Sequence, residues 1–220
     1  MKLLIIIALL YTTNAAAQSK PLSIGDTLPP HIQIILQNNL HPSSNQHNLS
    51  RTRFGINKLP NHQIIIIDFW ATWCGSCLKK LPLLDSALQK HAGLQVLLVN
   101  SKATTDTPEK IAAFFASRKN PAGKQYQFPQ VNNDTLWRSL FPHTALPHYV
   151  WIQNNKVIAI TGTAEITTEN IAAALNGEQL NLPLKDDIEK RKKLKSSASP
   201  TKASATVGNP IHHSPLTIHH

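Results

Sequence analysis

Residues Ile64–Cys77 read IIIIDFWATWCGSC. The first half, Ile64–Trp70, is a near-continuous apolar and β-branched run interrupted by Asp68. Such a run suits a central strand covered on both faces. From Cys77 to His91 the apolar residues Leu81, Leu84 and Leu88 recur at helical spacing, and Pro82 inside that pattern predicts a kink. The tetrapeptide Cys74-Gly75-Ser76-Cys77 therefore falls between a buried strand and a helix start. Unpaired N–H groups and the helix dipole stabilise an anion there. A thiolate is the nucleophile of disulfide exchange, so the placement activates Cys74. Cys77, one turn on, reaches back to displace a mixed disulfide. Trp73, just before the motif, shields it with a large apolar surface.

These are the only two cysteines among 220 residues, which excludes a multi-disulfide scaffold. A bridge across so short a loop restrains little of the unfolded chain, so the pair points to chemistry rather than to stability. A structural zinc site needs four ligands, and no second C-x-x-C is present. Hydrophobic residues at 41% and charged residues at 15% exclude a disordered polyelectrolyte. No repeat of solenoid or propeller length is visible. The length suits one domain with extensions.

Outward from the motif, Gln18–Pro60 is a polar lead-in, with His31–Leu36 (HIQIIL) as a strand and Gln37–Arg53 as loop. Leu94–Val99 reads as a second buried strand. Thr107–Lys119 is an amphipathic helix with Ile111, Phe114 and Phe115 on one side, and Asp134–Phe141 a short helix. Tyr149–Ile152 and Val157–Thr161 form a hairpin around Gln153–Lys156. Thr167–Leu175 is a closing helix stopped by Asn176-Gly177. This order implies an α/β sandwich with a mixed sheet.

The chain opens MKLLIIIALLYTTNAAAQ: one Lys, an apolar run Leu3–Tyr11, then Ala15 and Ala17 in an A-x-A pattern. A spanning helix needs about 20 apolar residues. The segment therefore reads as a secretory signal peptide, residues 1–17, and the protein as exported. Residues 18–184 form the folded domain. Residues 185–220, which include KRKKLK at 190–195 and then a Ser/Ala/Thr/Pro-rich stretch, read as a basic, mostly disordered tail. The net charge of +10 is concentrated partly there. Export and the lack of interleaved aromatics argue against nucleic acid as a partner, and weak contact with anionic lipid head groups is the simpler role for the tail.

The run Asp68–Cys77 (DFWATWCGSC), with Pro82 after it, resembles the thioredoxin superfamily. Leu146–Ile152 (LPHYVWI) is similar to the family's cis-proline turn running into a strand. The lead-in Gly25–Pro29, the export signal and an extra helical segment Thr107–Gln130 before the turn look like the TlpA/ResA-type branch. The resemblance, over Ile24–Leu175, implies a thioredoxin-like sandwich with an N-terminal strand extension and a helical insertion. It implies that Cys74 and Cys77 are a redox pair and that Asp68 is a buried acid taking the proton of the resolving thiol. Pro147 is then cis, and the backbone of Leu146 pairs with a substrate strand near Trp73. In thioredoxins a lysine accompanies that Asp on the next strand; the matching place here is Leu98. Ser76 stands where thioredoxins carry proline, restoring an N–H and adding a hydroxyl, and is expected to lower the Cys74 pKa.

The implied activity is reduction of protein disulfides without a cofactor, with a membrane thiol carrier as electron donor. The implied location is the periplasm in a Gram-negative bacterium, and otherwise outside the cytoplasm, with or without a membrane anchor. Two rival readings are a thiol peroxidase and a copper(I)-binding protein using Cys74, Cys77 and a distant His such as His148.

Overall fold

The computed structural model describes residues 20–40 and 63–187. The signal-like segment 1–17 and residues 188–220 of the basic tail lie outside the described residues.

Five strands form one sheet in the order β3-β2-β1-β4-β5. They are β1 (Ile64–Phe69), β2 (Leu94–Ser101), β3 (Gln130–Asp134), β4 (His148–Gln153) and β5 (Lys156–Thr161). β1–β2 and β2–β3 pair parallel, β1–β4 and β4–β5 antiparallel, so the sheet is mixed. The isoleucine run lies at its centre because all six residues of β1 are buried. Alternation divides them between two layers. Ile64 and Ile66 pack with Leu84, Ile111, Tyr149 and Ile171 on one face. Ile65, Ile67 and Phe69 pack with Leu36, Trp137 and Val150 on the other. Each of these side chains contributes about 1.5–3 kcal/mol on burial.

The helices are α1 (Pro30–Leu40), α2 (Gly75–Leu78), α3 (Leu81–Lys90), α4 (Pro108–Ala116), α5 (Leu136–Leu140) and α6 (Thr168–Leu175), with a 3₁₀ turn at Lys102–Thr104. The anticipated N-terminal strand at His31–Leu36 is instead part of α1. The reason is visible in burial: Ile32, Leu36 and Leu40 are inside at four-residue spacing, whereas Ile34 is 62% exposed. A strand would have put Ile32, Ile34 and Leu36 on one face. Pro30 at the first helical position is pre-set for that conformation. Only an isolated bridge, Thr27 to Lys156, ties this region to the sheet.

The anticipated kink near Pro82 is present: Lys79 and Lys80 separate α2 from α3 while keeping right-handed helical backbone conformation. Strand β3 has no counterpart among the expected elements. It is an edge strand with a single apolar residue, Val131, held by backbone pairing to β2. The β4–β5 turn uses Asn154 (φ 51°) and Asn155 (φ 60°) in the left-handed region, which suits a tight hairpin.

The composition change after Pro183 marks no structural boundary at Lys185. Lys185 and Asp187 are docked on the domain: the Lys185 N–H donates to the Ile160 carbonyl (2.9 Å), and the Asp187 carboxylate accepts from the Thr144 N–H (2.9 Å). Charge and composition could not reveal this, because the contacts are made to backbone groups distant in sequence, at Ile160 and Thr144.

Candidate active site

The β1–β4 register pairs Phe69 with His148. The chain leaving β1 (Trp70–Cys74) and the chain entering β4 (Thr144–Pro147) are therefore at the same end of two adjacent strands. This brings two stretches distant in sequence to one edge of the molecule. Cys74 and Cys77 are joined as a disulfide, with Cα atoms 5.3 Å apart. Cys74 is the N-cap residue of α2, and its sulfur accepts from the Cys77 N–H at 3.3 Å. The Ser76 hydroxyl lies 3.6 Å from the same sulfur. These two donors lie at the sulfur itself, at the start of the helix, where unpaired N–H groups also favour negative charge. Cys77 is fully buried beneath.

Trp73 is 60% exposed, and its indole N–H donates to the Thr104 carbonyl at 3.1 Å. It therefore stands at the surface beside the pair, pinned at one end. Trp70 is core, flanked by Phe114 and Phe115 at 5.4 and 5.3 Å between ring centroids. That contact docks α4 beside the motif.

Asp68 lies on the β1 face that carries Ile64 and Ile66, the layer that also contains Cys77. It is completely buried, and among the described residues neither carboxylate oxygen has a hydrogen-bond partner. Burial pushes its pKa well above the usual carboxylate range. Its cross-strand partner on β2 is Leu98, so the place of a lysine holds a buried leucine. On the β4 side its partner is Tyr149, whose pKa is raised by burial and by the Asp68 charge.

The Leu146–Pro147 bond is cis. Pro147 is buried, and Leu146 packs against the layer containing both cysteines. The copper reading meets an obstacle in His148. It is Phe69's partner and faces the other layer, stacked on His143 with centroids 4.6 Å apart and near Phe69 at 5.6 Å. It points away from the cysteine layer rather than completing a ligand set. Burial lowers the pKa of His148 to about 2 and that of His143 to about 4.

Residues that no motif marked also shape the site. Asp106 accepts from the Thr72 N–H (2.7 Å) and hydroxyl (2.6 Å) and from the Asn100 side-chain amide (2.9 Å). It also pairs with Lys110 at 2.8 Å. Burial raises its pKa, but the Lys110, Thr72 and Asn100 bonds outweigh that and hold it at about 2. Asp106 thus clamps the segment leading into Cys74. The separation of 34 positions in sequence between Thr72 and Asp106 hides this from any local pattern.

The family model described as thioredoxin matches residues 46–133, the stretch containing β1, the cysteine pair and β2. The fold is thioredoxin-like. The sheet order, the cysteine pair after the central strand and the cis-proline before β4 all belong to this thioredoxin-like arrangement. A thioredoxin from Coprinus comatus is 36% identical over 72 residues, covering 32% of this chain and 66% of that protein. Thioredoxin 1 from a Nostoc strain is 34% identical over 58 residues, covering 26% of this chain and 50% of that protein. Among solved structures, a thioredoxin-like protein from Aeropyrum pernix is 18% identical with a TM-score of 0.41, covering 52% of this chain and 77% of that one. The chain spans between 44% and 66% of the length of the curated relatives it matches. No helix among the described residues is long and apolar enough to cross a membrane.

Proposed function

We propose that the protein is an exported thiol–disulfide oxidoreductase that reduces disulfides in other polypeptides. The observation that carries the reading is the Cys74–Cys77 pair itself. It is bonded at the end of the central strand, with the outer sulfur accepting from the Cys77 N–H and an unpartnered, buried Asp68 on the layer beneath.

In the reduced protein, the Cys74 thiolate attacks one sulfur of a substrate disulfide. A Cys74–substrate bond forms, the substrate bond breaks, and the first substrate thiolate leaves and takes up a proton. Cys77 then gives its proton to the Asp68 carboxylate. Desolvation makes that carboxylate a stronger base than an exposed one. The Cys77 thiolate attacks Cys74, the mixed disulfide breaks, and the second substrate thiolate is released. Two electrons pass from the pair to the substrate, leaving the disulfide described here. A thiol donor restores the dithiol; for an exported protein a membrane thiol carrier fits that requirement. The substrate strand lies along Leu146 beside exposed Trp73. Leu146 has no backbone hydrogen-bond partner among the described residues, so its N–H and carbonyl are available for β-like pairing.

The signal-like N-terminus supports export, and among the described residues no third metal ligand joins the two thiols, which favours exchange over copper binding. The test is a Cys77→Ala variant, which stops at the mixed disulfide. It is expected to accumulate protein adducts on Cys74 that dithiothreitol releases. Recovery of no adducts, with an unreactive Cys74, would rule the reading out.

A further inference from the structure

The segment Leu184–Asp187 crosses the edge of the sheet and grips the loop that contains the cis-proline. Its path starts at β5, the edge strand, where the Lys185 N–H donates to the Ile160 carbonyl at 2.9 Å. From there the Lys185 ammonium donates to the Ala145 carbonyl at 2.5 Å and to the Pro147 carbonyl at 2.7 Å. The Asp187 carboxylate accepts from the Thr144 N–H at 2.9 Å and from the Ala145 N–H at 2.7 Å. The two side chains are themselves 3.5 Å apart. Four charge-assisted bonds thus reach backbone groups on either side of Leu146 in one short loop, a more directional arrangement than a lone ion pair.

Their pattern is selective. The carbonyls before and after Leu146 are taken by Lys185, and the two N–H groups before it by Asp187. The N–H and carbonyl of Leu146 are left unpaired among the described residues. We propose that Lys185 and Asp187 are positioning residues that lock the Thr144–Pro147 backbone so that Leu146 presents both groups to an incoming polypeptide. This inference rests on the oxidoreductase reading and adds a determinant of how polypeptide substrates are held. Lys185 is itself partly desolvated, which lowers its pKa, with Asp187 acting in the opposite sense. The grip is therefore made by a half-buried charge whose direction is fixed by its bonds.

A loop needed only to align a polypeptide strand is dispensable for a small disulfide that reaches Cys74 directly. Lys185→Met and Asp187→Asn in the full chain are therefore assayed on two substrates, insulin and the small aromatic disulfide 5,5′-dithiobis(2-nitrobenzoate). The expected result is a KM for insulin raised about tenfold in each variant, with kcat changed by less than about twofold. The rate with the small disulfide stays within about twofold of the parent. An unchanged insulin KM in both variants overturns the proposal. So does an equal loss on both substrates, because that marks general damage to the fold. A parent chain inactive on both disulfides overturns the oxidoreductase reading instead, and the positioning role falls with it.

Discussion

At Cys74 two donors within a single turn lie beside the sulfur. Cys77 supplies its N–H at 3.3 Å and Ser76 its hydroxyl at 3.6 Å, while α2 ends after four residues. A hydrogen bond to an anion contributes about 1.5–3 kcal/mol when buried, and less at a partly open site. Replacing Ser76 by proline removes the hydroxyl, and a proline fits the first turn of a helix without breaking it. The expected outcome is a higher Cys74 pKa in the reduced protein, read from the pH dependence of alkylation by iodoacetamide. An equal or lower pKa in Ser76→Pro removes Ser76 from the account. The residues of the pair were legible from the sequence because their chemistry is local: C-x-x-C after an apolar run needs no knowledge of the rest of the chain. The burial of Asp68 was expected only through the resemblance, since an Asp at a strand end can equally bond the local backbone; the structure buries it completely. Tyr149 was not legible, because its place opposite Asp68 exists only once β1 and β4 are in register.

Between residue and fold, the segment Ala71–Trp73 is an element without regular structure that must nevertheless be rigid. Its rigidity comes from Asp106, placed just before α4. The Asp106 carboxylate holds the Thr72 N–H and hydroxyl and Asn100, and Asn100 in turn accepts from the Thr104 hydroxyl at 2.7 Å. Asp106→Ala leaves the Thr72 N–H and hydroxyl without their acceptor and the Asn100 amide with only the Trp70 carbonyl at 3.4 Å. The expected cost is about 1–3 kcal/mol of stability, seen as a lower urea midpoint. Trp73 fluorescence should also become more mobile, because the segment it sits on is freed; a midpoint equal to the parent's contradicts the clamp. The same scale shows why some elements were misread. Six residues of α1 contain enough isoleucine to pass for a strand, and only the continuation to Leu40 reveals the four-residue spacing. Strand β3 carries almost no apolar signal, since an edge strand is specified by its neighbour's free backbone groups.

Over the whole molecule, the two faces of the sheet are electrostatically unlike. One buries Asp68 behind the cysteines. The other buries His143 and His148, stacked on each other. The mixed sheet and the sandwich around it could be inferred from the order of apolar runs. This division could not, because it follows from the parity of positions along β1 and β4. Its consequence is a pH dependence of stability. Both histidines have folded pKa values, about 4 and about 2, below the roughly 6.5 of an unfolded histidine. The unfolded chain therefore binds more protons below pH 6.5, and stability falls as pH falls through that window. Each histidine contributes a slope of about 1.4 kcal/mol per pH unit. Asp68 and Asp134, both raised by burial, act in the opposite direction. They are common to the parent and to a His148→Leu variant, so they cancel in the difference between the two. Leucine also fills the apolar space against Phe69 without a ring nitrogen to satisfy, and among the described residues neither nitrogen of His148 has a hydrogen-bond partner. Urea unfolding of both proteins between pH 7 and pH 4.5 is expected to show the stability of His148→Leu declining less steeply. The difference should be about 1.4 kcal/mol per pH unit below pH 6.5. Parallel curves would mean that the His148 imidazole is charged inside the fold. Its burial on the face opposite the cysteines would then need a counter-charge, and Asp187, a carboxylate that already acts on it electrostatically, is the candidate.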